Sequence, residues 1–191
     1  LKFLNAGQAC ISPNRLYVPN ILKSAFEETL CGRVEKLQTG NGMEEGIGVG
    51  PLVNDSAVVK VEQQVEDARE KGAGVPVGGV RLTDGEHANG HFFAPTVLTN
   101  VQPHMTIYRE ETFGPVAPVI GYDDADEVIE LANDTNYGLA AYVYTRDIAV
   151  AMRAFEQLRF GIIGINDVNP TSASVPFGLS LIHISEPTRL G

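Results

Sequence analysis

Apolar runs of strand length alternate along this chain with stretches whose apolar residues recur at helical spacing, and this alternation limits the fold more than any other feature. Asn14-Arg15-Leu16-Tyr17-Val18 reads as a first strand, stopped by Pro19-Asn20. The helix that follows keeps Leu22, Phe26, Leu30, Val34 and Leu37 on one face. Residues 38–54 are rich in glycine and poor in apolar periodicity, which predicts a long surface loop. Asn54 or Asp55 then caps a second amphipathic helix to about Lys71, with Val58, Val61, Val65 and Ala68 inward and Glu62, Glu66 and Glu70 outward. A short strand at Val75-Pro76-Val77 and a hairpin region bearing glycine and histidine come next. Pro95 makes the stretch 92–98 an edge or irregular strand. Beyond it lie an apolar strand at 116–120, a helix at 125–133, a strand at 139–144, a helix at 148–158 and a strand at 161–165. Strands and helices in this order predict an α/β fold: an open, mostly parallel twisted sheet with helices on both faces. Chemistry in such sheets gathers in the loops beyond the carboxyl ends of the strands.

At 191 residues one domain is the expectation, large enough to bury about 70% of its unfolded surface. Lys and Arg number 14 against 24 for Asp and Glu, a net charge of −10 without a basic stripe, which argues against nucleic acid and anionic membranes as partners. The two cysteines, Cys10 and Cys31, form no CxxC pair and no disulfide framework, so a reducing compartment, cytoplasmic or matrix-like, is expected. The first residues lack the build of a signal peptide, and the chain starts at Leu1 rather than Met, which suggests a missing N-terminal portion.

Cys10 lies in Asn5-Ala6-Gly7-Gln8-Ala9-Cys10-Ile11-Ser12, where Gly7 permits a tight backbone and small neighbours leave the thiol open to approach. A nucleophile needs that exposure, together with amides that favour the thiolate or hold an oxyanion. A buried structural cysteine is the other reading of the same residues. Cys31, beside Leu30 on a helix, reads as structural. Glu110-Glu111-Thr112-Phe113-Gly114-Pro115 sets two carboxylates, an aromatic ring and a Gly-Pro break before the strand at 116–120. A carboxylate there can accept from a ribose diol while the ring walls a flat heterocycle, and solvated acids beside one core Phe is the alternative. His87 and His91 are four apart, but Gly90 lies between them and no third ligand is signalled, so no metal is assigned. Gly46-Ile47-Gly48-Val49-Gly50 lacks the third glycine and ribose acid of a dinucleotide fingerprint.

Three of these segments together resemble the aldehyde dehydrogenase superfamily. Asn5 to Cys10 is similar to its catalytic cysteine motif, Glu110 to Pro115 to its cofactor-contacting motif, and Pro176-Phe177-Gly178 to the start of a Pro-Phe-Gly-Gly stretch. Gly50-Pro51-Leu52, residues 132–140 and Gly164-Ile165-Asn166 fit the same pattern, so the resemblance covers 1–178. It implies that the Cys10 thiolate attacks an aldehyde, that hydride passes to NAD or NADP, and that water cleaves the resulting thioester. By the same resemblance Glu111 binds the nicotinamide ribose and Phe113 packs near the nicotinamide. Thr171 and Phe177 then contact the substrate, with 166–171 as the adjoining loop.

The wording is most similar to the succinate-semialdehyde dehydrogenase branch, with two departures. That branch has an arginine six residues before the cysteine to pair a substrate carboxylate, and here the position is Leu4. Where some members carry a second cysteine two residues after the nucleophile, this chain has Ser12, which excludes a disulfide switch within the loop. The family's coenzyme fold, oxyanion asparagine and glutamate base match nothing in this sequence. The chain is therefore expected to be a catalytic-domain fragment of a homo-oligomeric parent, inactive alone, with 179–191 a non-native tail. A free-standing, non-catalytic binding domain of the same fold is the rival expectation.

Overall fold

The computed structural model describes residues 1–169 and Gly178. Thr171, Phe177 and the expected tail at 179–191 lie outside the described residues. The chain divides into two compact units, Leu1–Asp123 and Asp124–Gly191.

In the first unit β1 (Leu16–Pro19) leads into α1 (Asn20–Val34), then the short strands β2 (Gln38–Thr39) and β3 (Ile47–Val49). Helix α2 (Asp55–Glu70), β4 (Gly74–Val77), β5 (Arg81–Leu82), β6 (Phe92–Phe93), β7 (Thr96–Thr99), α3 (Thr106–Arg109) and β8 (Val116–Tyr122) follow. Four strands form the main sheet in the order β1-β8-β7-β4. Pairs β1/β8 and β8/β7 are parallel, aligning Leu16 with Val119 and Thr96 with Val116, and β4 runs antiparallel to β7. Strands β7 and β8 alternate side chains between two cores, Leu98, Val116 and Ile120 on one face, Val97 and Val119 on the other.

Helix α2 covers the first face with Val58, Val61, Val65 and Ala68, each at most 1% exposed, a burial that contributes about 2 kcal/mol for each valine. Its start is fixed by Asn54, whose side chain accepts from the Ala57 amide at 2.9 Å. Helix α1 packs Val34 and Leu30 against the second face.

Four expectations change. The stretch 92–98 is two strands, because Pro95 has no amide to give: Ala94 N donates to Val80 O while Thr96 N donates to Pro115 O. Its second half, β7, is a central strand rather than an edge. The face read on α1 is only partly covered, with Leu22 57% and Phe26 38% exposed, and Leu37 lies past the helix end. Within 38–54, β2 and β3 pair in parallel.

The second unit holds α4 (Ala125–Asn133), β9 (Ala140–Val143), α5 (Ile148–Gln157) and β10 (Ile162–Ile165), close to the spans read from the sequence. Strands β9 and β10 pair in parallel with Ile162 opposite Ala140, as a sheet separate from the first. Asp124 and Asp147 cap the two helices by accepting from amides of their first turns at 2.7 Å. After β10, Asn166 adopts a left-handed conformation and exchanges two hydrogen bonds with the Thr145 backbone. Among the described residues no helix is long and apolar enough to cross a membrane.

Candidate active site

The segment before Cys10 is a 3-10 turn, Leu4–Gly7, in which Asn5, Ala6 and Gly7 all have positive φ (51°, 55° and 75°). For Asn5 and Ala6 this costs about 1–2 kcal/mol per residue, which the surroundings must offset. Asn5 offsets part through its side chain, which donates to Gln8 O at 3.0 Å. Ala6 is 1% exposed within the first core. Gln8 ties the loop to the 51–53 segment, donating to Pro51 O at 3.2 Å and accepting from Val53 N at 2.8 Å. A turn closed by Ser12 N to Ala9 O, 2.9 Å, then carries Cys10, whose side chain is exposed. That exposure removes the reading of Cys10 as a buried structural cysteine. Cys31 is half-buried, and burial, with Glu35 and Glu27 nearby, pushes its thiol above the ordinary value.

Residues 110–115 leave α3 and enter β8 directly against the Cys10 loop. A Cβ on Gly7 would lie 2.0 Å from Gly114 O and 3.1 Å from Lys2 O, so only glycine permits this approach. Thr112 is the bolt between the segments. Its amide donates to Asn14 Oδ1 at 3.0 Å, its hydroxyl donates to Gln64 Oε1 at 2.9 Å, and its carbonyl accepts from Lys2 Nζ at 3.4 Å. Gln64 Nε2 reaches back to Glu111 O at 3.4 Å, and Ser12 Oγ donates to Lys2 O at 3.4 Å. Lys2 is pulled down from 10.5 to about 8 by burial, against which the Glu111 carboxylate pushes it up.

Glu111 is half-buried and Phe113 is 40% exposed, both on the segment this network joins to the thiol loop. Three sequence-derived candidates, Cys10, Glu111 and Phe113, therefore lie on two segments held together, while Thr171 and Phe177 lie outside the described residues. Sequence reasoning missed Lys2, Gln8, Asn14, Gln64 and Thr112. One signal was available: Gln64 falls on the buried stripe of α2 beside Val61, Val65 and Ala68, where a polar side chain requires a partner.

An exposed thiol on a loop joined by hydrogen bonds to the segment that carries a carboxylate and an open phenyl face can present a nucleophile, and that segment can take a flat ligand with a diol. A partly exposed acceptor and an open aromatic face fit the nicotinamide and ribose end of a dinucleotide. Among the described residues no three of His, Cys, Asp and Glu come together as a metal site.

The class of protein this architecture defines is an α/β domain with helices on both sheet faces and a loop-borne thiol. A profile described as the aldehyde dehydrogenase family matches residues 1–178, and the chain belongs to that family. It is 45% identical over 177 residues to a 3-sulfolactaldehyde dehydrogenase of Pseudomonas putida, covering 93% of this chain and 36% of that one. It is equally 45% identical to a succinate-semialdehyde dehydrogenase [NADP(+)] of Escherichia coli, with 93% and 36% covered. The crystal structure of a succinate-semialdehyde dehydrogenase from Burkholderia pseudomallei superposes with a TM-score of 0.88 at 44% identity, over 94% of this chain and 37% of that one. The chain thus spans about a third of the length of the relatives it matches.

Proposed function

We propose that this chain carries the nucleophile segment of an NAD- or NADP-dependent aldehyde dehydrogenase, with Cys10 as the attacking thiol. The observation that carries the reading is the exposed Cys10 on a loop bolted to residues 111–114, in a member of the aldehyde dehydrogenase family. Cys10 Sγ adds to the aldehyde carbon, and the Cys10 amide holds the oxygen that becomes negative. Glu111 would accept from the nicotinamide ribose hydroxyls and Phe113 would flank the ring. When bound, the coenzyme supplies the hydride acceptor that leaves an acyl group on sulfur. Water then releases the carboxylate and returns the thiol.

The glutamate base and oxyanion asparagine of that scheme match no position of this sequence, so the isolated chain is proposed not to turn over. The substrate proposed is an aldehyde bearing an acid at its far end. Its support is in the names of the relatives, which include succinate-, glutarate- and aspartate-semialdehyde dehydrogenases. Leu4, 63% exposed, supplies no charge where that branch has arginine, so any partner for the acid lies at another position. Thr171 and Phe177 are proposed as substrate contacts. The free thiols of Cys10 and Cys31 fit a reducing compartment.

The test is expression of the longest reading frame that contains this segment, as wild type and as Cys10→Ser, with NAD(P)H formation followed on succinate semialdehyde and on butanal. Wild-type turnover that falls by about three orders of magnitude in Cys10→Ser is expected. A faster rate on butanal would remove the semialdehyde assignment. Equal rates for the two proteins would remove Cys10 as nucleophile.

A further inference from the structure

We propose that Lys2 is the positioning residue of the Glu111 segment: its enclosed ammonium holds residues 111–114 in register with the Cys10 loop by charge as well as by hydrogen bonding. Among the described residues the buried polar or charged side chains are Lys2, Ser12, Gln64, Thr96 and Thr112, with exposures of 6%, 5%, 2%, 0% and 1%. All but Thr96 belong to the network that joins the thiol loop to the Glu111 segment. Of that set Lys2 alone is ionisable as a cation, and it sits eight positions before Cys10 in the sequence.

A lysine enclosed this far would pack at lower cost as a methionine unless its charge has a use. The hydrogen bond of its ammonium to Thr112 O, at 3.4 Å, is long for a charge-assisted contact and is weak by itself. The groups joined in the network, Ser12, Asn14, Gln64 and Thr112, carry no charge. The charge that acts on Lys2 is the Glu111 carboxylate, one residue from the carbonyl that Lys2 grips. Ammonium and carboxylate therefore belong to opposite segments of the junction, and their attraction closes it. Burial of the Lys2 ammonium strengthens that attraction from its side, because little water surrounds this charge to screen it.

What the positioned segment is for rests on the reading of Glu111 as a coenzyme contact, but the pair itself can be tested without coenzyme. The first measurement is the titration of the Lys2 side chain by NMR, through its Cε–Hε resonances, in the 191-residue chain and in its Glu111→Gln variant. A midpoint near 8 is expected in the wild type, and one about one pH unit lower in Glu111→Gln, because the field that keeps the ammonium charged is gone. The second is hydrogen exchange at the Thr112 amide in Lys2→Met and Lys2→Arg, with the Val65 amide in α2 as reference. Lys2→Met should lower the Thr112 protection factor about tenfold with Val65 unmoved, and Lys2→Arg should restore it. A Lys2 midpoint unmoved by Glu111→Gln, or equal Thr112 protection in wild type and Lys2→Met, would overturn the proposal. Should Lys2→Met fail to fold, the Glu111→Gln titration decides. A failure of coenzyme to depend on Glu111 in the longer enzyme would count against the Glu111 reading alone, since the Lys2 titration is independent of it.

Discussion

Gly7 is the narrowest point of the site. Its positive φ and the 2.0 Å that would separate an added Cβ from Gly114 O both forbid a side chain, so Gly7→Ala must push the Cys10 loop away from residues 111–114. The expected cost exceeds about 3 kcal/mol in urea unfolding at neutral pH, and destabilisation under about 1 kcal/mol would show that the two segments are not in contact. Thr112→Val keeps the shape and removes the hydroxyl, which leaves Gln64 Oε1 enclosed without its donor. About 1–3 kcal/mol should be lost in the same measurement. At this scale the sequence singled out the candidates Cys10, Glu111 and Phe113 and was mute about the residues that hold their segments. Cys10 admitted two readings until its exposure was known, because exposure depends on what packs beside a loop. The Lys2 to Thr112 contact spans 110 positions and that of Thr112 to Gln64 spans 48, separations at which local pattern carries no signal.

Among the elements α2 follows most directly from its own residues. Apolar spacing set its buried face, and of the two cap candidates, Asn54 and Asp55, it is Asn54 that accepts from the Ala57 amide at 2.9 Å. Asn54→Ala should cost about 1 kcal/mol of stability in urea unfolding, and an unchanged unfolding free energy would show that the Asn54 side chain does not hold the start of α2. Strand β7 shows where the same reasoning stopped. Pro95 was read as the mark of an edge, yet the proline falls in the link between β6 and β7, and β7 pairs on both sides. Which neighbours a strand acquires is decided by residues far away in the chain, here β4 and β8, and a one-dimensional pattern of apolar residues does not encode them. The short helix α3 was missed for a different reason: its first amide is capped from α2, by Asp67 Oδ2 at 2.7 Å to Thr106 N, rather than by a residue just before it. Burial raises Asp67, but hydrogen bonds from Lys71 and Thr106 outweigh it and hold the carboxyl below its ordinary range.

For the whole molecule, the enclosed lysine gives stability a definite pH dependence. Lys2 titrates at about 8 when folded against an ordinary 10.5, so between those values the unfolded chain holds a proton that the folded chain has released. Stability from this group therefore rises with pH across that window, and the cost of enclosing the charge is fully present below pH 8. Relative to Lys2→Met, the wild type should gain about 3 kcal/mol between pH 8 and 10.5, measured as the difference between their urea unfolding free energies. A difference constant with pH would place Lys2 in solvent. The α/β class and the parallel pairing were legible because strand-length and helix-length segments alternate through both units. Their division at Asp123 was not, since the same alternation runs on across it. The proposed role of Cys10 requires that the folded chain, and not the local sequence, present its thiol. It is tested most directly by alkylation with iodoacetamide at pH 7.5, mapping Cys10 and Cys31 by mass spectrometry in the native chain and in denaturant. An excess of Cys10 modification of about tenfold in the native chain, collapsing toward equal rates in denaturant, is the expected result. Equal rates in the native chain would show that the fold does not present Cys10.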